Sequence, residues 1–161
     1  MQVETENMIL FWQSDTVFSN WFPSEFTMGV NCFENSEAAF MYNKAGVFGD
    51  TDIQSKILYA DQNPKSMKNL GRQIKNFNQE LWDKERIRCM YDACLAKFRL
   101  DPYKGELLRT GSKTIVEASP LDKIWGIGLA PNDPKALDKR NWKGQNLLGE
   151  VLMQVRSDLQ S

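Results

Sequence analysis

Two residues of opposite charge, Glu37 and Lys44, have types and a spacing that could serve a reaction. They lie in residues 37–45, a segment whose pattern predicts a helix. Seven positions place them within about 20° of each other around the axis and about 10 Å apart along it. A carboxylate can bind hydroxyls or accept a proton, and an amine can attack a carbonyl carbon. The alternative is that both are solvated residues bordering a packed face.

The predicted ends of this helix affect the two groups differently. Glu37 falls in the first turn, where the helix dipole favours a carboxylate that stays ionised. Lys44 falls near the last turn, where the same dipole favours the protonated ammonium. A nucleophilic lysine needs a lowered pKa, from burial or from a nearby cation. The sequence does not show which of these would compensate.

The composition excludes several kinds of active site. The chain has 161 residues, no histidine, and three cysteines, Cys32, Cys89 and Cys94. The absence of histidine excludes Ser-His-Asp and Cys-His catalysis and histidine-ligated metals. Three cysteines are too few for a disulfide framework or a four-ligand zinc site. We therefore expect no metal and no cofactor.

Length and charge indicate an ordinary globular protein. The net charge is -1 and hydrophobic residues make up 42% of the chain, which predicts a single domain over residues 1–161 and gives no global attraction to nucleic acid. The first residues lack the basic region of a signal peptide, and no apolar stretch approaches about 20 residues. We expect a cytoplasmic protein with no membrane partner.

Other segments could bind a ligand. In residues 120–129, Asp122 precedes Trp125 and Gly126, so a ring could stack on the tryptophan while backbone approaches the ligand closely. A tight loop around a core tryptophan is the alternative. Residues 141–149 lead into the last helix, whose N–H groups could bind an anion or be capped. Arg72 could bind a phosphate or be an ordinary surface residue.

The periodicity predicts a helix-rich α+β domain with a small antiparallel sheet. A strand is predicted at residues 8–13, a hairpin at 26–33 and a strand at 114–119. Predicted helices occupy residues 37–45 (capped by Ser36), 51–60 (capped by Thr51), 63–74, 79–100, 102–111 and 145–159.

Six blocks of sequence together resemble the NADAR family, small proteins associated with NAD and ADP-ribose metabolism. The resemblance spans nearly the whole chain in the family's order. The blocks are FSNWFPSEF (18–26), SEAAFMYNKA (36–45), NPKSMKNLGRQI (63–74), W…R…M…L..KF (82–98), LLRTGSKTIVEASPLDKIWGIGL (107–129) and NWKGQNLLGEVLMQVR (141–156).

The resemblance implies an N-glycosidase in which Glu37 and Lys44 are the catalytic pair. The lysine would attack the anomeric carbon of an opened ribose and form a Schiff base. Asp122 is the third catalytic residue that it implies. The implied substrate-binding residues are Asn20, Phe22, Ser36, Arg72, Trp125, Gly126 and Asn146. We expect one pocket formed by the first helix, the 120–129 loop and the start of the last helix, with Trp125 and residues 18–22 as aromatic walls.

The chain departs from the family at Ala38, where many members have histidine. Asn35, Asn20 or a water molecule could take the place of that side chain. The implied substrate is ADP-ribosylated guanine, as a nucleotide or in nucleic acid. The alternatives are riboflavin biosynthesis intermediates as substrates, or a non-catalytic binder of ADP-ribose or an NAD-derived signal. The oligomeric state is open.

Overall fold

A computed structural model describes all 161 residues and contains six helices and five short strands. The α+β class is confirmed. None of the helices is both long and apolar enough to cross a lipid bilayer. The strands are β1 (Gln2–Glu4), β2 (Met8–Phe11), β3 (Phe26–Met28), β4 (Asn31–Phe33) and β5 (Thr114–Glu117). The helices are α1 (Ser36–Val47), α2 (Thr51–Tyr59), α3 (Pro64–Gly71), α4 (Gln79–Phe98), α5 (Tyr103–Arg109) and α6 (Leu147–Gln160).

The chain divides into two compact units. The first unit consists of Met1–Phe22 and Asp101–Ser161. Its three-stranded sheet has the order β1-β2-β5. β1 pairs with β2 antiparallel, whereas β2 pairs with β5 in parallel, so this sheet is mixed rather than wholly antiparallel. Helix α6 packs against β5, and a buried apolar cluster that includes Leu10, Val116 and Ile127 stabilises the sheet.

The second unit is the continuous segment Pro23–Leu100. It contains the antiparallel β3–β4 hairpin and helices α1 to α4. Gly29 takes a φ of +63° in the turn between the two strands, a conformation that glycine adopts without steric cost. Helix α1 packs against α2, α3 and α4. It is therefore the central helix of this unit.

Two helices begin with caps other than those the sequence predicted. The side chain of Asn35, rather than Ser36, caps α1 by accepting a hydrogen bond from the N–H of Ala38 at 2.9 Å. Asp50, rather than Thr51, caps α2 by accepting one from the N–H of Ile53 at 3.0 Å. In both cases the capping side chain is the residue just before the predicted one, and it accepts from the N–H of the third helical residue.

Some element ends and one buried position also differ from prediction. α3 ends at Gly71, three residues before the predicted Ile74. α1 continues through Gly46 to Val47. On α4, Ile87 has the 3-to-4 apolar spacing that predicts a buried face, yet it is 48% exposed. That face of the helix has no element packed over it, so periodicity alone overestimated its burial.

Candidate active site

The amine of Lys44 lies against the backbone and against two aromatic rings of the second unit. Its Nζ donates a hydrogen bond to the carbonyl oxygen of Gly71, at the end of α3, at 3.3 Å. The same atom lies 5.1 Å from the ring centroid of Phe77 and 5.3 Å from that of Trp82. Each distance is short enough for a cation–π interaction. Lys44 is therefore held by three contacts rather than extended into solvent.

The two rings belong to a larger aromatic cluster beside α1. Phe48 packs against Phe77 and Trp82, with centroid distances of 5.2 and 6.5 Å. Phe40 packs against Trp82 at 5.6 Å. Trp82 is only 8% exposed, but Phe77 is 44% exposed. One ring beside the amine is thus part of the core, and the other is reachable from solvent.

A nucleophilic lysine near the end of a helix needs an effect that lowers its pKa against the helix dipole. The surroundings of Lys44 provide two such effects, which the sequence did not show. Burial lowers the pKa of Lys44 below its ordinary value, the carboxylate of Glu37 opposes this, and the guanidinium of Arg72 adds to the lowering. Desolvation and a neighbouring cation both disfavour a second positive charge. The helix dipole still opposes them. The balance favours an amine that loses its proton more readily than a surface lysine does.

The first turn of α1 is buried and contains one polar atom without a partner. Glu37 is buried next to Ser36, and the Ser36 hydroxyl oxygen has no hydrogen-bond partner. The Asn35 amide is already used, since its oxygen caps the helix and its nitrogen donates to the carbonyl of Gln62 at 2.7 Å. Many family members have a histidine where this chain has Ala38. Asn35 is not free to take the role of that histidine, because its amide is already hydrogen-bonded. A buried, unpaired hydroxyl is costly and favours a ligand that would satisfy it.

Arg72 lies at the C-terminal end of α3 and is exposed. Its guanidinium donates to the side-chain oxygen of Asn69 at 3.0 Å. Its charge also acts on Lys44. The structure therefore brings Ser36, Glu37, Lys44 and Arg72 together in the second unit.

In the first unit, Asp122 organises the predicted ligand loop. One carboxylate oxygen accepts hydrogen bonds from the N–H groups of Ile124 and Trp125, each at 2.9 Å. Gly126 is buried, and a Cβ atom there would lie 2.8 Å from the carbonyl oxygen of Asp122. This spacing admits only glycine without a shift of the backbone. Trp125 is half-buried on the same loop.

The first N–H groups of α6 are hydrogen-bonded to the loop that contains Asp122. The N–H groups of Asn146, Leu147 and Leu148 donate to loop carbonyl oxygens at 3.1 to 3.2 Å. These donors are therefore not available to an anion, and of the two alternatives that the sequence left open, the structure shows the capped one. The Asn146 side chain is 0% exposed, accepts a hydrogen bond from the N–H of Glu117 at 2.9 Å and donates one to the carbonyl of Ile115 at 3.0 Å. These contacts join α6 to β5.

Asn20 and Phe22 lie in the segment after β2, also in the first unit, and are half-buried. The first unit therefore contains five of the predicted binding residues and Asp122. The five are Asn20, Phe22, Trp125, Gly126 and Asn146.

Comparison with known proteins identifies the family. Residues 10–160 match the NADAR domain. The chain belongs to the NADAR family. It is 42% identical to Protein irg-1 of Caenorhabditis elegans, over 96% of this chain and 81% of that protein. It is 41% identical to N-glycosidase R617 of Acanthamoeba polyphaga mimivirus, over 89% of this chain and 88% of that protein.

A solved structure of similar fold is the NMR structure of the Escherichia coli protein YbiA, with a TM-score of 0.77 and 25% identity over 98% of this chain and 88% of that one. Longer relatives are named riboflavin biosynthesis proteins, and the match spans only 16 to 39% of their length. Among the more similar relatives, the NADAR domain thus makes up most of the protein.

Three residues of this NADAR domain were not singled out from the sequence. Two are aromatic residues beside the Lys44 amine, and the third is a buried lysine. Phe77 and Trp82 flank the Lys44 amine, although only Trp82 belongs to a family-like block. Lys97 is 0% exposed, and burial lowers its pKa to about 7. Its Nζ lies 4.7 Å from the ring centroid of Phe98. In the sequence, Lys97 looks like any lysine near the end of a helix.

Proposed function

We propose that this protein removes ADP-ribose from guanine by hydrolysing the N-glycosyl bond between ribose and base. That the chain is a hydrolase of N-glycosyl bonds follows from its membership in the NADAR family and from a relative named N-glycosidase. The observation that supports a catalytic role is the half-buried Lys44 amine, whose pKa is lowered by burial while Glu37 lies on the same helix. A protein that only binds its ligand has no need of such an amine.

In the proposed reaction, opening of the ribose ring breaks the C1–O4 bond, O4 takes up a proton, and C1 becomes double-bonded to the base nitrogen. The neutral Nζ of Lys44 adds to C1. A proton passes from Nζ to the base nitrogen, and the base leaves with the electron pair of its bond to C1. C1 and Nζ then form a positively charged iminium. Water adds to C1 and loses one proton, which gives a neutral carbinolamine. The remaining hydroxyl proton passes to Nζ, the C1–Nζ bond breaks with its electron pair going to the amine, and the sugar is released with a carbonyl at C1.

Glu37 has two roles in this proposal. Its carboxylate stabilises the positive charge that develops at C1, and it accepts a proton from the attacking water. The buried position of Glu37 suits both roles, since a carboxylate acts more strongly where water is excluded. The unpaired Ser36 hydroxyl next to it would bind a sugar hydroxyl.

The remaining binding residues divide by their contacts. Arg72 is exposed and would bind a phosphate of the substrate. Trp125, Asn20 and Phe22 lie in the first unit, and a role for them in binding the base or the ribose stays a prediction of the family resemblance. For Asp122, Gly126 and Asn146 the hydrogen bonds and close packing support a positioning role, in which they fix the loop that carries Trp125.

Riboflavin biosynthesis intermediates are the second candidate substrates, because several longer relatives carry that name. The riboflavin proteins match this chain over only 16 to 39% of their own length, which makes them the weaker parallel. The choice of guanine rests on the family resemblance of the sequence. Incubation with each substrate class, followed by mass spectrometry of the products, distinguishes them. Release of guanine supports the proposal, and release only from the riboflavin intermediates contradicts it.

The first variant test concerns Lys44. Borohydride added during turnover should reduce the iminium and leave a stable adduct on Lys44. Lys44→Arg keeps the charge but cannot form an imine, so it should bind ADP-ribose and neither turn over nor form the adduct. Lys68→Arg, at an exposed position of α3, is the matched control and should behave as wild type. Substantial activity of Lys44→Arg would show that Lys44 acts only by charge.

The second variant test concerns Glu37. Glu37→Gln preserves the side-chain volume, so the fold should persist while turnover falls by about 100-fold or more. Activity within about threefold of wild type would contradict an acid–base role. Thermal unfolding of the variant is the check that a loss of activity is not a loss of structure.

A further inference from the structure

The contacts of the Lys44 amine are mostly aromatic. Nζ faces the ring of Phe77 at 5.1 Å and the ring of Trp82 at 5.3 Å, while its hydrogen bond to the Gly71 carbonyl is 3.3 Å long. The two rings are close together in the chain, with Phe77 just before α4 and Trp82 in the first turn of that helix. Phe48 packs against both rings from outside their contacts with Nζ. The ring faces of Phe77 and Trp82 together form an aromatic wall beside Nζ.

We propose that Phe77 and Trp82 are positioning residues that hold Nζ of Lys44 in both of its cationic forms, the resting ammonium and the iminium formed with the substrate. This rests on the proposed function, since the iminium exists only if Lys44 is the nucleophile. The faces of aromatic rings carry partial negative charge and attract either cation. The same contacts therefore keep the nitrogen in place before and after the covalent bond forms.

The aromatic wall also stabilises the positive charge that a buried nitrogen would otherwise carry without compensation. A group that is desolvated without compensation loses its proton readily but also holds any later positive charge poorly. The iminium is positively charged and cannot lose that charge without breaking a bond. The aromatic faces compensate for the missing water in this state. They provide no proton acceptor, so they do not compete with Glu37 for the chemistry.

Charged groups around Lys44 act in addition to the rings. Glu37 on α1 favours the cation and Arg72 at the end of α3 opposes it. From α4 the neighbouring side chain is Trp82, which is uncharged. A change at Phe77 leaves these charges in place, so its effect on the amine can be separated from theirs.

Phe77 is the position to change, because it is 44% exposed and its loss leaves little cavity. Phe77→Leu keeps an apolar side chain over the amine but removes the ring face. The pKa of Lys44 should then fall by about 0.4 to 0.7, which corresponds to the two- to fivefold effect of one partly exposed cation–π contact. NMR of 13C-labelled lysine in the substrate-free protein measures this directly. Phe77→Tyr restores the ring and should restore the pKa.

The second readout is the borohydride-trapped adduct. Phe77→Leu should lower the trapped fraction by about two- to fivefold at saturating substrate, and Phe77→Tyr should not. Phe48→Leu is the control, since Phe48 packs against both rings but makes no ring contact with Nζ. The Phe48→Leu variant should leave the pKa of Lys44 unchanged.

Three outcomes would overturn the proposal. An unchanged pKa in Phe77→Leu would show that the ring face does not act on the amine. A raised pKa would show that Phe77 serves only to exclude water. An equal shift in Phe48→Leu would assign the effect to general packing. If wild type forms no adduct, the proposed function fails, while the NMR measurement still tests the aromatic wall.

Discussion

Replacing the buried Lys97 with methionine should stabilise the protein at acidic and neutral pH. Lys97 is 0% exposed on α4. Burial lowers its pKa from 10.5 to about 7. Each pKa unit corresponds to about 1.4 kcal/mol, so keeping the amine protonated in the folded protein costs roughly 5 kcal/mol relative to the unfolded chain. Methionine has a similar length and no charge.

The pH dependence follows from where the proton is bound. Below about pH 7 Lys97 is protonated in both states, and the folded protein bears the full penalty. Between about pH 7 and 10.5 the folded protein has released a proton that the unfolded chain keeps, so wild-type stability rises with pH. Lys97→Met lacks this contribution. Because it also loses contacts worth about 1 to 3 kcal/mol, we expect it to be about 2 to 4 kcal/mol more stable than wild type near pH 6. That advantage should disappear near pH 10.

Urea unfolding followed by tryptophan fluorescence at about pH 6, 7.5 and 9 measures the difference between variant and wild type. Subtracting the two cancels the titration of all other groups. Lys68→Met, at an exposed position on α3, is the matched control, and its difference from wild type should not vary with pH. A difference for Lys97→Met that is the same at all three values, or a variant less stable near pH 6, would refute the reasoning.

Two further changes test the packing of α6 and the charge beside the amine. Gly149→Ala should destabilise the protein by more than about 2 kcal/mol, because its Cβ would collide with the carbonyl oxygen of Ile115. In Gly105→Ala the Cβ would meet only the Asp101 side chain, at an ordinary contact distance of 3.6 Å, so this variant should be neutral or stabilising. Urea unfolding measures both differences. Arg72→Gln should raise the pKa of Lys44, because it removes a cation that opposes protonation of the amine. The ascending limb of the rate plotted against pH should therefore move to higher pH. An unmoved or downward limb would contradict that account.

The sequence predicted the elements of the fold better than their pairing and their exact ends. Hydrophobic periodicity is local, so β2, β5 and the long helices were found from it. The parallel pairing of β2 with β5 joins residues more than 100 positions apart, and no local pattern encodes it. The cap of α1 was misplaced by one residue because Asn35 and Ser36 have similar intrinsic preference as caps.

The candidate site was predicted in its residue types but not in its environment. Glu37 and Lys44 were selected from spacing, and their family blocks supported the choice. The burial of Lys44, the proximity of Arg72 and the aromatic rings depend on how α3 and α4 pack against α1, which spacing within one helix does not reveal. Asn146 was selected as a binding residue, yet its amide is occupied by the backbone of β5. Polarity in a sequence does not distinguish a ligand contact from an internal hydrogen bond.

In the first unit, β1 and β2 are synthesised well before β5, the third strand of the same sheet. β1 and β2 leave the ribosome first, but their partner β5 follows roughly 100 residues later, after the whole of Pro23–Leu100. That segment is continuous and can fold while the chain is still growing. During this interval one edge of β2 has no partner, and its apolar run Met8–Phe11 is exposed to other nascent chains. Chains truncated before Thr114 should therefore aggregate through this edge, whereas a fragment restricted to residues 23–100 lacks the strand and avoids this route.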